Sequence, residues 1–179
     1  MVSEIKLKTL NAISENLLEA KEGLYVACGF DCTVPIAETE SAAYAAYRFT
    51  LDGFAVVYRE SKITPTKVGQ FVTLWKRSDL GVTEPFEISD AIDFVVVAAR
   101  DGDRFGQFVF PKMVLFSKGV FSGNNKEGKR GIRVYPPWDV TLSKQAQQTQ
   151  QWQLKYFLEI PRTNEIDLTL AKSLYSNEF

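Results

Sequence analysis

The sequence predicts a single domain of the α/β (α+β) class, with one mixed β-sheet flanked by helices. Four segments between residues 54 and 111 carry strand-like apolar patterns, and segments with helical spacing precede and follow them. A chain of 179 residues with 45% hydrophobic content suits one core of ordinary size. We find no internal repeat and no linker, so residues 1–179 are treated as one domain.

The first predicted elements are helical. Residues 1–22 form an N-terminal helix in this interpretation, and Gly23 can end it. Apolar residues recur there with nearly helical spacing: Ile5, Leu7, Leu10, Ile13, Leu17 and Leu18. The segment ESAAYAAYRF (40–49) predicts a second, short helix that Ser41 can cap.

Four strands are predicted next, where apolar residues alternate with polar ones or form short runs. They are FAVVYR (54–59), GQFVTLWKR (69–77), DFVVVAAR (93–100) and FGQFVFP (105–111). The turn formers of DGDRFG make a hairpin between the last two. Because DFVVVAAR is apolar on both faces in its middle, we expect a central strand covered on both sides.

The remaining elements alternate between helix and strand. PKMVLFSKGVF (111–121) predicts a helix that starts at Pro111 and ends at Gly119. RGIRVYP (130–136) predicts a short strand, and SKQAQQTQQWQLKYFL (143–158) a helix capped by Ser143. The order α–α–β–β–β–β–α–β–α is that of a single mixed sheet with flanking helices.

The composition excludes several classes of function. The absence of histidine rules out Ser-His-Asp and Cys-His hydrolases and His-ligated zinc sites. Cys28 and Cys32 are too few for a closed zinc site, so we interpret them as reduced structural cysteines, with a redox pair as the alternative. No apolar run approaches the roughly 20 residues of a membrane helix, and the N-terminus lacks a signal-peptide core. We therefore expect a cytoplasmic protein with no membrane partner.

Positive charge is concentrated in two segments of a chain whose net charge is -1. Residues 58–77 hold five cations and one acid, and residues 112–133 hold six cations and one acid. Two basic segments on one small sheet can converge on a face that attracts a polyanion, although solubilising surface lysines are the alternative. The residues expected to contact nucleic acid are Arg59, Lys62, Thr64, Thr66, Lys67, Lys76, Lys112, Lys126, Lys129, Arg130, Arg133 and Trp138.

Trp138 has a separate role in this list. It follows two prolines in YPPWD, so we expect an exposed ring that can stack on an unpaired base. The aromatic residues near the other cations are expected to pack in the core.

Asp93 and Lys112 suggest a second kind of site. An acid that starts one strand and a lysine that ends its antiparallel neighbour come close together, as in many metal-dependent nucleases. The second carboxylate, expected two residues before the lysine, is replaced by Phe110. Glu38 or Glu40 could substitute for it, whereas the alternative for Asp93 is a structural role at a strand start.

The chain resembles the MepB family at KITPTKVGQFVTLWKR, GQFVFPKMVLFSKGVFSG, NKEGKRGIRVYPPWD and KQAQQTQQWQLKYF, from about Glu38 to Phe157. The resemblance implies a restriction-endonuclease-like, PD-(D/E)XK fold whose nuclease carboxylates are not retained. Asp93 and Lys112 would stand at the nuclease aspartate and lysine, and Phe110 at the second carboxylate. The resemblance therefore implies no catalytic residue, no metal and no cofactor.

The leading hypothesis is a non-catalytic nucleic-acid-binding protein, because the family is associated with nucleic-acid binding that favours RNA or single strands. One alternative is a metal-dependent nuclease with a displaced carboxylate. Another is a drug-response interaction module, since the family is named after a multidrug-efflux gene cluster. The oligomeric state stays open.

Overall fold

A computed structural model describes residues 13–176 of the chain. Its strands form a central six-stranded sheet, in which one pair of neighbours is parallel and every other pair is antiparallel, a three-stranded sheet and a two-stranded hairpin. The predicted class, a mixed sheet flanked by helices, is confirmed.

The strands are β1 (Ile36–Ala37), β2 (Tyr47–Leu51), β3 (Phe54–Glu60), β4 (Lys62–Thr64), β5 (Lys67–Thr73), β6 (Trp75–Arg77), β7 (Thr83–Pro85), β8 (Phe94–Asp101), β9 (Arg104–Pro111), β10 (Gly131–Val134) and β11 (Phe157–Glu159). The α-helices are α1 (Glu15–Ala20), α2 (Lys112–Ser117), α3 (Lys144–Gln153) and α4 (Leu168–Leu174). A π-helical segment (Lys21–Tyr25) and a last turn (Val26–Cys28) continue α1, and short 3-10 turns occupy Ala42–Tyr44 and Leu154–Tyr156.

The central sheet has the strand order β1-β2-β3-β8-β9-β11 with β3 and β8 parallel, the three-stranded sheet has the order β10-β5-β4, and β6 and β7 form the hairpin. The central sheet buries both of its faces. Along β8, Phe94 and Val96 face one core while Val95 and Val97 face the other, and all four side chains are fully buried. The first face is covered by α1, its helical continuation and α4. The second is covered by the three-stranded sheet, α2 and α3. DFVVVAAR is therefore a central strand covered on both sides, as predicted.

The N-terminal helix runs further than predicted. Residues 1–12 of the predicted segment lie outside the described residues. Gly23 does not end the helix, which continues to Cys28 and ends at Gly29, whose φ of 72° is left-handed. Leu24 and Tyr25 are buried against the sheet, and this burial outweighs the cost of about 1 kcal/mol for a glycine inside a helix.

The predicted helix over residues 40–49 is wrong. Only the 3-10 turn Ala42–Tyr44 is helical, and Ser41 adopts a left-handed conformation without a capping bond. The rest of the segment enters β2, in which Tyr47, Phe49 and Leu51 alternate inward and pair with β3. Partners on β3 decide between helix and strand here, because alanine and tyrosine tolerate both.

The later elements confirm the predicted strands with changed boundaries. GQFVTLWKR divides into β5 and β6, which belong to different sheets. The helix capped by Ser143 ends at Gln153, and Phe157 and Leu158 instead form β11 beside β9. Among residues 13–176, no helix has the length and apolar character that crossing a bilayer requires.

Candidate nucleic-acid interface

A groove of about 550 Å³ lies between the three-stranded sheet and α3. Four cations line it, and no acidic residue does: Lys67, Lys118, Lys129 and Arg133. Within residues 13–176, none of these four cations is ion-paired with a carboxylate. The groove is therefore a local field of positive charge on a protein that is nearly neutral in total.

Gln153 fixes the distance between the two walls of the groove. Its side chain is buried, its Oε1 accepts a hydrogen bond from the Tyr135 backbone N–H (2.9 Å), and its Nε2 donates to the Arg133 carbonyl (2.8 Å). The amide thus bonds to the β10 edge much as another strand would. Because these buried groups need partners, the helix is held beside β10.

Arg133 is held in place by neutral partners. Its guanidinium donates to the carbonyls of Val68 (3.3 Å) and Gly69 (3.2 Å) and to Thr64 Oγ1 (2.7 Å). Thr64, predicted to contact phosphate itself, therefore positions a predicted phosphate-binding arginine. Gly69 has a φ of +84°, and a Cβ there would meet the Tyr135 ring at 2.6 Å. Only glycine lets Tyr135 pack so closely at the groove.

The start of α3 adds a second favourable feature for anions. Ser143, Gln145 and Ala146 line the groove at the N-terminus of this helix. Ser143 Oγ accepts a hydrogen bond from the Ala146 backbone N–H (3.1 Å), as predicted for the cap. The first turn carries no acidic residue, so the positive end of the helix dipole is not neutralised.

Trp152, and not Trp138, is the tryptophan of the groove. Its half-buried ring rests on Phe110, with centroids 5.4 Å apart, and the Lys118 ammonium lies 5.4 Å from its centroid. Trp138 is also half-buried, but it packs edge-on against Phe157 at 5.7 Å and does not line the groove. The expected exposed ring at Trp138 is therefore wrong, because the segment after the two prolines folds back onto the sheet.

Several cations that were predicted to contact nucleic acid are instead ion-paired with carboxylates of the protein itself. Arg59 is fully buried and ion-paired with Glu38 at 2.8 Å, so it cannot contact a phosphate, and that prediction is wrong. Burial lowers the pKa of Arg59, although the charge of Glu38 opposes this effect. Lys76 Nζ lies 2.7 Å from Asp90, 3.6 Å from Glu84 and 3.8 Å from Glu87. Its charge is neutralised by these carboxylates.

The other predicted residues lie outside the groove lining. Lys62 is exposed with its ammonium 4.8 Å from the Tyr44 ring, and Thr66 is exposed in the β4–β5 turn. Arg130 is ion-paired with Glu127 at 2.8 Å, and Lys126 lines a separate small recess that includes Glu87. Lys67, Lys129 and Arg133 are the predicted residues that the fold brings together with α3.

Asp93 and Lys112 are neighbours, as their strands predicted, but both are engaged in structural bonds. The Lys112 backbone N–H donates to the Asp93 carbonyl (3.0 Å), and Asp93 Oδ2 accepts from the Ala55 N–H (2.7 Å). Lys112 Nζ donates to the Asp90 carbonyl (3.1 Å). Asp93 thus joins the start of β8 to the start of β3, and the lysine, also expected to bind phosphate, secures the preceding loop.

The remaining nuclease positions are occupied in other ways. Phe110 is fully buried and stacks on Phe108 at 5.4 Å. Glu38 is ion-paired with Arg48 and Arg59, and Glu40 with Arg77. In the part of the chain that the structure describes, no group of three or more Cys, Asp or Glu side chains is placed to hold a metal ion. Cys28 and Cys32 are free thiols, the first buried and the second half-buried.

Comparison with known proteins yields one clear relationship. No curated protein matches the sequence. A bacterial homing endonuclease is similar over 79% of this chain and 93% of its own, at 16% identity and a TM-score of 0.43. That likeness is too low to support an argument, so the restriction-endonuclease-like part of the fold remains a prediction.

A crystal structure of MepB is much more similar. It has 34% identity and a TM-score of 0.70, over 75% of this chain and 88% of its own. The MepB-like family itself matches residues 38–159, which is well over half of the chain. The chain therefore belongs to the MepB-like family.

Proposed function

We propose that this protein binds single-stranded nucleic acid, RNA or DNA, in the groove between the three-stranded sheet and α3, without cleaving it. The observation that carries the proposal is the charge of the lining: four cations, no acid, and a net charge of only -1 for the whole chain. Among residues 13–176, eight of the fifteen other cations are ion-paired with carboxylates, whereas none of these four is, so their charge is available for an external anion.

The aromatic content of the groove favours unpaired bases. Phe71, Tyr135 and Trp152 contribute to the lining beside the cations. Aromatic rings stack on unpaired bases for about 1–3 kcal/mol per base, and this gain is smaller for a duplex, in which the bases already stack on each other. Cations for the phosphates and rings for the bases together match a single strand.

The Asp93 region supports binding without hydrolysis. The Asp93 carboxylate accepts a backbone hydrogen bond, and Phe110 fills the position of a second carboxylate. Phe110 also supports Trp152, so the position that would carry a metal ligand in a nuclease supports the floor of the groove here. Among residues 13–176, this geometry favours the binding hypothesis over the nuclease hypothesis.

The test is fluorescence anisotropy with labelled single-stranded RNA, single-stranded DNA and duplex DNA at several salt concentrations. If each of the four cations neutralises one phosphate, log K falls with log[salt] with a slope of about −2.8 for single strands. The double variant Lys118→Ala/Lys129→Ala should reduce this slope by about 1.4. Lys172→Ala is the matched control, because this exposed lysine lies on α4, on the opposite side of the central sheet.

Two outcomes would contradict the proposal. Binding that is insensitive to salt would mean that the groove cations do not contact phosphates. Equal weakening by the double variant and by Lys172→Ala would place the ligand elsewhere. The same probes, incubated with Mg²⁺ or Mn²⁺ and run on a denaturing gel, should remain intact, and cleavage would revive the nuclease alternative.

A further inference from the structure

The glutamines of α3 form two rows that differ in their contacts. Gln147, Gln150 and Gln153 bond to the body of the protein: their amide nitrogens donate to the carbonyls of Thr141 (3.2 Å), Pro136 (2.9 Å) and Arg133 (2.8 Å) respectively. These three residues are spaced by three along the helix and therefore share one face. This row attaches α3 to the sheet and the preceding loop.

The second row is not used by the fold. Gln145, Gln148 and Gln151 have the same spacing, are exposed, and make no side-chain hydrogen bond with any residue between 13 and 176. Each free amide offers two donors and an oxygen acceptor. A glutamate at each of these positions would add negative charge that repels phosphates, whereas glutamine adds none.

The free row continues the groove. A surface recess of about 400 Å³ is lined by this row together with Lys118, Thr149, Trp152 and Lys155, and again by no acidic residue. It shares Lys118, Gln145, Thr149 and Trp152 with the groove, so the two form one continuous surface. The two walls differ in chemistry: β5, β10 and the loop before β10 supply Lys67, Arg133 and Lys129, whereas α3 supplies neutral amides around one indole ring and is followed by Lys155.

We propose that the free glutamine row reads the bases of the bound strand, while the sheet wall holds its phosphates and Trp152 stacks on a base. Side-chain amides recognise base edges because they can donate and accept in the same plane, as Asn and Gln do with adenine. Cations on phosphates carry no sequence information by themselves. This inference rests on the proposed function and adds base preference to it.

The test compares base-bearing and abasic probes on the same proteins. Labelled ten-nucleotide strands of rA, rC and rU, and an abasic strand of equal length, are titrated by anisotropy. We expect the native protein to bind the best homopolymer at least about fivefold more tightly than the weakest, the lower range for one amide–base pair. In the triple variant Gln145→Ala/Gln148→Ala/Gln151→Ala, this ratio of affinities between the best and the weakest homopolymer should fall to under about twofold. The reason is that the variant lacks the amides that distinguish the bases.

Two matched controls separate this inference from the proposed function. Gln147→Ala, the same change in the attached row, should keep the native ratio of affinities among the homopolymers. Abasic affinity and its salt slope should be unchanged in the triple variant and reduced in Lys118→Ala/Lys129→Ala. Because alanine favours helix more than glutamine does, circular dichroism should show an intact fold for the triple variant.

Three results are decisive. Base recognition by the glutamine row would be overturned if the triple variant kept the native ratio of affinities among the homopolymers. It would also be overturned if the native protein bound all four probes equally. Either result would leave phosphate binding intact. If no probe binds with salt dependence, the proposed function fails, and base reading fails with it. If Gln147→Ala and the triple variant both lost the difference in affinity among homopolymers to the same extent, the effect would belong to the helix as a whole. That result would also overturn the inference.

Discussion

Two sets of cations that look alike in the sequence have different surroundings in the fold. Arg59, Lys76 and Lys112 are buried or half-buried and bond to Glu38, to a carboxylate cluster and to a backbone carbonyl. Lys118 and Lys129, in the groove, are exposed and have no carboxylate partner among residues 13–176. A basic segment therefore indicates a binding surface only where the fold leaves its charges unpaired.

The comparison also separates two roles for polar residues on the same side of the central sheet. Around Asp93, the polar groups are satisfied by the protein itself, so they stabilise loop and strand junctions. In the groove, Lys118, Lys129 and the free amides of α3 are exposed and bond to no carboxylate among residues 13–176. Changes in the first region should affect folding, and changes in the second should affect binding.

The largest expected effect follows from Phe110→Asp, the change that restores a carboxylate at the nuclease position. A charge at this fully buried site, between Phe108, Trp152 and Tyr156, should lower the free energy of unfolding by about 4 kcal/mol or more. Urea denaturation measures the loss, and Phe110→Leu should cost only about 1–2 kcal/mol. A stable Phe110→Asp protein that cleaves nucleic acid with Mg²⁺ would show that this region is a disabled active site.

A smaller loss is expected from Arg59→Met. The substitution leaves Glu38 without its buried partner and removes a side chain that is fully buried, which together should cost about 3 kcal/mol. Arg77→Met breaks an exposed pair with Glu40 and should change the urea midpoint far less. Equal midpoints for the two variants would mean that the Arg59 pair contributes no more than a surface pair.

Lys129→Ala and Lys112→Ala should differ in their effect on binding. Removing the exposed groove lysine should weaken single-strand binding about fivefold at low salt and reduce the salt slope by about 0.7. Lys112→Ala should leave the affinity within about twofold and instead cost about 1 kcal/mol of stability, since Nζ bonds to the Asp90 carbonyl. Anisotropy titrations of both variants measure the affinity and its salt slope, and urea titrations measure the stability. A salt slope that is reduced in Lys112→Ala would extend the interface to Asp93.

The smallest effect concerns the pH dependence of Lys76. Burial alone would lower its pKa, but the hydrogen bond to Asp90 and the charges of Glu87 and Glu84 outweigh it, and the pKa is raised. The charged form is therefore favoured in the folded state. Its contribution, about 1 kcal/mol for a partly exposed group, is complete below the unfolded pKa near 10.4 and is lost as pH rises through the raised value.

Thermal unfolding of the native protein and Lys76→Met from pH 7 to pH 11 checks this prediction. The difference in stability should be constant up to about pH 10 and shrink above it. Lys172→Met, on the opposite side of the sheet, is the control for general effects of losing a lysine. A difference that grows above pH 10 would contradict the assigned direction of the pKa shift.

Much of the fold could be predicted because its signals are local. The apolar run of β8, the turn formers before β9 and the Ser143 cap each depend on neighbouring residues, and the structure confirms all three. β2 and β11 were missed because their residues tolerate helix as well as strand, and only pairing with β3 and β9 selects the strand. The end of the first helix was misplaced because burial of Leu24 and Tyr25 is a tertiary effect.

The site could be predicted only in part. Lys67, Lys129 and Arg133 were found from charge density, which the sequence displays directly. The helical wall was missed, although one signal was visible: KQAQQTQQWQ has six glutamines, one threonine and no acidic residue. Its place beside β10 depends on the buried Gln153 amide, whose partners at Arg133 and Tyr135 are about 20 residues away in the chain.

The sequence by itself determined the class of fold and the concentration of positive charge in two segments, because apolar period and local composition are properties of short segments, and its motifs carried the resemblance to the family. Only the tertiary structure decided which charges remain available. Arg59 and Lys129 carry the same charge, but one meets Glu38 inside the protein and the other faces an open groove. Whether a charge is paired depends on residues distant in sequence that folding brings within a few ångströms, and no local pattern records that distance.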